Sequence, residues 1–242
     1  MRLMKRFAEE QLSLIKALAE KGASLKEISI QIGSCKSAVQ YHVAKMRGKK
    51  PREKTFNSGN LTDAELGWLV GFYAGDGSRY FRKENYSYEI KFALSEDQDL
   101  TVKRVEDFLS KCGLKTWRSI EGKRVYVRCK SKMFYRFAEK YLAWEGTRKS
   151  KSVRLANIDS NTNDFLFGFL CGVTDAEEGT KKLYISTSSL KLAENLMEIA
   201  AKMNIQAKKY TYDVYHVYLR KTDFQNVCQK HGFSSIKHSR RL

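Results

Sequence analysis

Asp76 and Glu177 are the residues of this 242-residue chain whose type and position point most directly to chemistry. Asp76 stands near the end of the apolar run Leu66 to Gly77 (LGWLVGFYAGDG), and Glu177 near the end of Phe165 to Gly179 (FLFGFLCGVTDAEEG). In each run an interior glycine, Gly71 or Gly172, lies five residues before the acid. A carboxylate on the last turn of a helix faces the negative end of the helix dipole, which a nearby cation or a bound metal relieves. Two carboxylates brought together repel unless neutralised, and oxygen-only ligation suits Mg²⁺, with Mn²⁺ as a substitute. Metals held in this way can activate water and stabilise the leaving oxygen of a phosphodiester. Glu178 is the alternative second ligand: register from Gly172 favours Glu177, adjacency to Gly179 favours Glu178. Asp175 is expected to hydrogen-bond near the same helix end.

The elements that must position these acids are two helices with almost no side chain on one face. Gly67, Gly71, Ala74 and Gly75 recur at three- and four-residue spacings, and Gly168 and Gly172 repeat the pattern. Glycine costs about 1 kcal/mol in a helix interior, so several together need a compensating close approach of another backbone. Each helix is the other's natural partner. Gly77 reads as a left-handed cap at the end of the first. The halves align as an internal repeat, with Gly71 matching Gly172 (172 − 71 = 101), Gly113 matching Asn204 (204 − 113 = 91) and Phe134 matching Phe224 (224 − 134 = 90). About ten extra residues therefore sit in the first half, in the loop between Arg79 and Glu89. Alternating hairpins, amphipathic helices over 97–112 (Leu100, Val105, Phe108 and Leu109 inward) and 191–203, and further helices over 132–141 and 223–230 complete a duplicated αββαββα unit.

LVGFYAGDG and LCGVTDAEEG resemble the two motifs of the LAGLIDADG homing endonuclease family in its single-chain, two-motif form, over roughly Leu61 to Leu242. The resemblance implies an α+β fold: a pseudo-twofold LAGLIDADG core with two antiparallel saddle sheets. It implies a monomeric, intron-encoded type of enzyme that makes a double-strand cut across the minor groove of a DNA target, with Asp76 and Glu177 as metal ligands. It further implies basic catalytic residues near the acids, for which Lys130 in the first half and Arg220 and Lys221 in the second are the candidates. The second motif departs from the family pattern in carrying Glu178 between its acid and its glycine. A non-cutting transcriptional regulator and an intron RNA maturase, with intron RNA as partner, are the alternatives on the same fold.

The hairpins are expected to present a basic face to DNA. In the first half the candidates are Arg79, Arg82, Lys83, Lys91, Arg118, Lys123, Arg124 and Arg128; in the second they are Lys181, Lys182, Lys208, Lys209 and Tyr210. Alternate strand residues point to opposite sides, so about half of these must face away.

Residues 1–48 read as a separate helical module. Phe7, Leu12, Leu14, Ile15 and Leu18 give helical periodicity; Ser24 and Glu27 form a capping box; Gly33-Ser34 makes a tight turn before a third helix over 36–47. The run SLKEISIQIGSCKSAVQYHVAKM resembles a helix-turn-helix, whose third helix would offer Lys36, Ser37, Gln40, Tyr41 and Lys45 to a major groove. Residues 49–60 read as a basic linker lying along phosphates, with Lys49 and Lys50 in contact; 61–160 and 161–242 are the two repeats.

Composition agrees with this division. With 45 Lys and Arg against 27 Asp and Glu, the net charge is +18, which favours a polyanionic partner. Five cysteines without CxxC spacing argue against a disulfide framework or a zinc site and for a reducing interior. No apolar run suits a bilayer and no leader is expected, which points to a cytoplasmic or nucleoid-associated protein that is not secreted.

Overall fold

A computed structural model describes residues 7–46, 56–82, 87–177 and 183–239, without the side chains of Lys45, Arg82, His238 and Ser239. Lys49, Lys50, Lys83, Glu178, Lys181 and Lys182 lie outside the described residues, as do the side chains of Lys45 and Arg82. The chain divides into two compact units, Met1–Thr55 and Phe56–Leu242.

The first unit packs α1 (Glu9–Glu20), α2 (Leu25–Ile32) and α3 (Lys36–Met46) around Ile15, Ile28, Ile32, Val39 and Val43. Ser24 starts α2: its backbone N–H donates to Glu27 Oε2 at 2.7 Å, and the Glu27 N–H donates to Ser24 Oγ at 3.3 Å. Gly33, at φ 66°, turns the chain between α2 and α3 in a conformation that a β-carbon would strain. Leu14, expected inward, is exposed, because its neighbour Ile15 takes the buried position one residue, or 100°, further round α1.

The second unit begins earlier than the linker expectation places it. The Phe56 ring packs edge-on against Phe134 and Phe137, and the Asn57 N–H donates to the Cys112 carbonyl at 3.0 Å, so residues 56–60 belong to the folded core. The first repeat runs α4 (Asp63–Asp76), β1 (Gly77–Arg82), β2 (Ser87–Ser95), α5 (Asp99–Lys111), β3 (Thr116–Glu121), β4 (Arg124–Lys130) and α6 (Lys132–Tyr141). A connection follows, built from β5 (Leu142–Ala143), α7 (Lys149–Ser152) and β6 (Arg154–Leu155). The second repeat runs α8 (Asn163–Glu177), β7 (Tyr184–Thr187), α9 (Leu190–Lys202), β8 (Ala207–Thr211), β9 (Tyr215–Leu219), α10 (Lys221–His231) and α11 (Ile236–Ser239). The two antiparallel sheets have orders β1-β2-β4-β3 and β7-β9-β8, so β7, β9 and β8 correspond to β2, β4 and β3. Residues 178–182, where a counterpart of β1 would fall, lie outside the described residues.

The internal repeat is visible in the backbone. Gly113 has φ 78° and its match Asn204 has φ 58°, the one non-glycine residue with positive φ among those described. Asn tolerates the left-handed region better than most residues, which explains the exchange. Phe134 and Phe224 are both buried. Leu100 in α5 is half exposed, and Val102 takes the inward position expected of it.

α4 and α8 cross at the centre of one continuous core that includes Trp68, Phe72, Phe167 and Phe169. A β-carbon on Gly67 would strike the Phe165 carbonyl, and one on Gly168 the Ala64 carbonyl; Gly71 meets Phe169 and Gly172 meets Trp68 in the same way. All four pairs obey the single offset of 101 (168 − 67, 172 − 71, 165 − 64, 169 − 68). The glycine faces therefore lie against each other's backbone about a pseudo-twofold axis. Gly77 departs from expectation: it is extended at φ −80° and ψ 144°, and α4 passes straight into β1. Glycine is required there because a β-carbon would collide with the Tyr73 ring and carbonyl. Among the described residues no helix is long and apolar enough to cross a membrane.

Candidate carboxylate site at the helix ends

Asp76 and Glu177 are the last residues of α4 and α8. The glycine interface fixes the rotation of both helices, and so brings the two ends together. The Glu177 side chain lies against Gly75, where an added β-carbon would stand 3.3 Å from Glu177 Oε1. Burial first, and then the Glu177 charge, push the Asp76 carboxyl up to about 7. Burial also raises Glu177. A bound cation would relieve both groups, because each is held deprotonated only against desolvation and, for Asp76, repulsion. The donors are oxygen only and few, a set that fits a hard divalent ion keeping several waters and completing its shell with a phosphate. Among the described residues no group of three or more His, Cys, Asp or Glu is placed to hold a metal ion.

The cations that act on these acids are Lys149, Lys237 and Arg124. Lys149 was not legible as a site residue. It stands at the start of α7, in a loop closed by the ladder Leu142↔Leu155 and Ala143↔Arg154. Ser188 Oγ and Ser189 Oγ of the second repeat donate to the Ser150 and Val153 carbonyls and brace that loop. The Lys149 ammonium donates to the Tyr73, Ala74 and Gly75 carbonyls at 2.5, 2.6 and 3.2 Å, and so caps α4 directly beside Asp76. Its burial pulls the ammonium down to about 7, with Asp76 and Glu177 opposing.

Lys237 reaches the site by a different device. Asp175 is fully buried, and its Oδ1 accepts from Ser235 Oγ at 2.6 Å and the Lys237 N–H at 2.9 Å. Its Oδ2 accepts from Trp68 Nε1 at 2.7 Å and the Ile236 N–H at 3.0 Å. One carboxylate thus ties both central helices to the segment that carries Lys237. The helix-end hydrogen bonding expected of Asp175 is present, with partners some 60 residues away. A cavity of about 230 Å³ opens beside Glu177, lined by Gly75, Ser150, Ser186, Thr187 and Ser188.

The candidates Lys130, Arg220 and Lys221 are not among the charges that act on either acid. Lys130 lies over the Trp117 ring at 5.7 Å, and Arg220 donates to Gln206 Oε1 at 3.0 Å. In strand register, Lys130 is level with Tyr80, three rungs from the Asp76–Gly77 junction.

Sheet register also sorts the basic residues. Arg79 and Arg118 share the Ile90 and Val127 face, turned toward the helices: Arg79 stacks on Tyr135 and Trp144 and pairs with Glu139, and Arg118 holds Glu106 of α5 with two hydrogen bonds. Lys209 faces the same way in the second sheet, toward Glu194 at 3.9 Å. These three are corrected as groove-facing candidates. Lys91, Arg124, Arg128 and Lys130 occupy the open face, where Arg128 is held by Glu89 and Glu121 and Lys91 lies 3.9 Å over the Tyr126 ring. Lys208 and Tyr210 occupy the open face of the second sheet. In the three-helix unit Lys36, Ser37, Gln40 and Tyr41 are solvent-facing on α3.

No protein-family model matches the chain. An uncharacterised protein of Methanocaldococcus jannaschii is 25% identical over 207 residues, spanning 82% of this chain and 72% of that protein. Among solved structures, mesophilic variants of the homing endonuclease I-DmoI align with a TM-score of 0.55 at 15% identity, over 69% of this chain and 94% of theirs. I-DmoI in complex with DNA and Mn aligns at 0.55 and 15% identity, over 69% of this chain and 95% of that one. The fold of this chain is the LAGLIDADG fold, in its single-chain form with two motifs.

Proposed function

We propose that this protein is a site-specific, divalent-metal-dependent double-strand DNA endonuclease of the homing type, acting as a monomer through its internal pseudo-twofold. One observation carries the reading: two acids at the ends of glycine-faced helices converge at the pseudo-twofold axis, both raised by burial, with Lys149 and Lys237 acting on both. The solved I-DmoI complexes with DNA and metal support it by fold.

Asp76 and Glu177 would hold Mg²⁺ or Mn²⁺, with Glu178 the alternative to Glu177. The bound metal supplies an activated water and neutralises charge on the leaving oxygen. Lys149 and Lys237 place positive charge beside the phosphate and favour the ionised form of both acids. Lys91, Arg124, Arg128 and Lys130 track the backbone of the duplex across the first sheet, where they position it more than they read it. Helix α3 extends the footprint into a major groove through Lys36, Ser37, Gln40 and Tyr41.

A second reading, duplex binding without cutting, is favoured by one observation: Lys149 and Lys237 both oppose the rise of the two acids and so neutralise part of the pair's charge. Cleavage of a library of long duplexes in Mg²⁺, beside the Asp76→Asn/Glu177→Gln double variant, separates the two. Cutting by the wild type alone supports the endonuclease and yields its target. Selective binding by both proteins with cutting by neither would replace it with the regulator.

A further inference from the structure

Arg79 lies on the helix-facing side of β1, and its contacts lead to Lys149. The guanidinium carbon stands 4.2 Å from the centre of the Tyr135 ring and 4.3 Å from that of Trp144. Nη1 donates to Glu139 Oε1 at 2.8 Å and to the Tyr135 carbonyl at 3.3 Å. Tyr135 and Glu139 belong to α6, whereas Trp144 belongs to the connection between the repeats, five residues before Lys149 (149 − 144). A planar guanidinium against two rings is a directional contact that an ammonium reproduces poorly.

Both ends of this contact are fixed. Arg79 continues the backbone of Asp76, because α4 passes straight into β1, and it pairs with Ile90 of β2. Trp144 follows the ladder Leu142↔Leu155 and Ala143↔Arg154. Beyond it the Glu145 N–H donates to Ser152 Oγ at 2.8 Å, and Ser152 Oγ donates to the Glu145 carbonyl at 2.9 Å. Trp144, Glu145 and the turn of α7 that carries Lys149 therefore form one closed piece. The second repeat holds that piece through Lys191, paired with Glu145 at 2.5 Å, and through Asn195 Oδ1, which accepts from the Leu155 N–H at 2.8 Å. Arg79 ties the same piece to the first repeat, on the strand that begins where Asp76 ends.

We infer that Arg79 is a positioning residue: through Trp144 it fixes Lys149 against the end of α4, and so sets the place of one ammonium relative to Asp76. Its effect on cutting rests on the endonuclease reading above; its effect on Lys149 does not. The lysine needs such a fix. Its stem is flexible, and α7, at four residues, holds its base only weakly. Yet the ammonium meets three carbonyls at once. A reacting group displaced by about 1 Å can lose on the order of 10²-fold in rate.

The first measurement needs neither metal nor DNA. In the full chain, isotopically labelled at the lysine side-chain nitrogens, an ammonium that donates to three carbonyls exchanges its protons slowly with water and gives a proton–nitrogen NMR peak. Its absence from Lys149→Met assigns it. Arg79→Ala and Trp144→Ala should each broaden that peak, and Trp144→Phe should retain it. The peaks of Lys111 and Lys202, paired with Glu65 and Asp159, should stay as they are. Glu139 is half exposed, so removing Arg79 leaves it in water and not in the core. The second measurement is strand-resolved cleavage of a selected duplex in Mg²⁺. Arg79→Ala should slow the same strand as Lys149→Met, by up to about 10²-fold, and should slow the double variant no further. Arg79→Lys should restore part of the rate, since it keeps the charge without the planar stack. A Lys149 peak unchanged in both alanine variants, or a slowing that multiplies with that of Lys149→Met, would overturn the inference and leave the endonuclease reading intact. Failure of the wild type to cut any duplex would overturn that reading instead, and the Lys149 peak alone would then decide the positioning role.

Discussion

The ends of α4 and α8 are equivalent by backbone symmetry and opposite in how they are held. At α4 a side-chain ammonium, that of Lys149, binds three main-chain carbonyls. At α8 a side-chain carboxylate, that of Asp175, binds two main-chain N–H groups, a hydroxyl and an indole. The position matching Asp175 in the first helix is Ala74 (175 − 101 = 74), which makes no such bonds. Both solutions bring a lysine to the acid pair, but one uses the lysine itself as the helix cap and the other uses a clamp on the lysine's backbone. A duplicated fold can thus keep one backbone symmetry while its two halves deliver charge by unrelated contacts.

The largest expected effect breaks the clamp. Asp175→Ala removes from the core the carboxylate that the Trp68 indole, the Ser235 hydroxyl and the Ile236 and Lys237 N–H groups share. Removing one member of such a buried polar cluster costs about 3–5 kcal/mol. Urea denaturation should show that loss for Asp175→Ala and less than about 1 kcal/mol for Ala74→Ser, its counterpart. Comparable losses at both positions would mean that the asymmetry has no energetic content.

How much of this was legible follows from where each constraint is written. The glycine interface could be read because four glycines at helical spacing encode helix register directly, and Gly113 and Asn204 disclosed the repeat through a backbone need. Lys149 and Lys237 could not, because α7 and α11 are four residues long, with no periodicity to reveal them, in a chain with 45 Lys and Arg. Phe134 and Phe224 anchored the repeat correctly but drew attention to the strand-to-helix junctions at Lys130 and Arg220 instead. The partners of Asp175 are Trp68, 107 residues earlier, and a segment about 60 residues later, and only folding reveals that juxtaposition. Arg79, Arg118 and Lys209 were misplaced because charge does not mark the side of a strand; their acidic partners on α5, α6 and α9 do.

A smaller expected effect separates the two lysines in activity. Lys149→Met and Lys237→Met should each slow one strand more than the other, because Lys149 is anchored on the end of α4 and Lys237 on Asp175 of α8. Loss of one preorganised cation at a phosphoryl site costs about 10²–10³ in rate. On supercoiled DNA both variants should accumulate nicked circles, with the cut on opposite strands; Lys130→Ala and Arg220→Ala should linearise at close to the wild-type rate. Nicking of the same strand by both lysine variants would show that the pair acts as one unit, and would remove the functional side of the comparison.

The smallest effect is a pH dependence of stability in the metal-free protein, and it tests whether Lys149 and Asp76 answer one another. Burial, with repulsion from Glu177 second, raises Asp76 from 3.8 to about 7, and burial lowers Lys149 from 10.5 to about 7. The folded state therefore holds a proton on Asp76 that the unfolded chain releases near pH 3.8, so the Asp76 contribution is lost as the pH climbs from about 4 to 7. Lys149 works in the other direction: the unfolded chain keeps its proton up to about 10.5, so stability is regained as the pH climbs from 7 toward that value. Melting scans should find a minimum near neutrality, a few degrees deep given the usual entropy of unfolding. Asp76→Asn should shrink the falling limb to the part that Glu177 contributes, and Lys149→Met should leave only the falling limb, while Mg²⁺ should fill the minimum in the wild type by binding the ionised acids. Parallel curves for all three proteins would mean that the helix-end charges are solvated as the chain folds, and that the cap on α4 is a hydrogen-bonding device without electrostatic consequence.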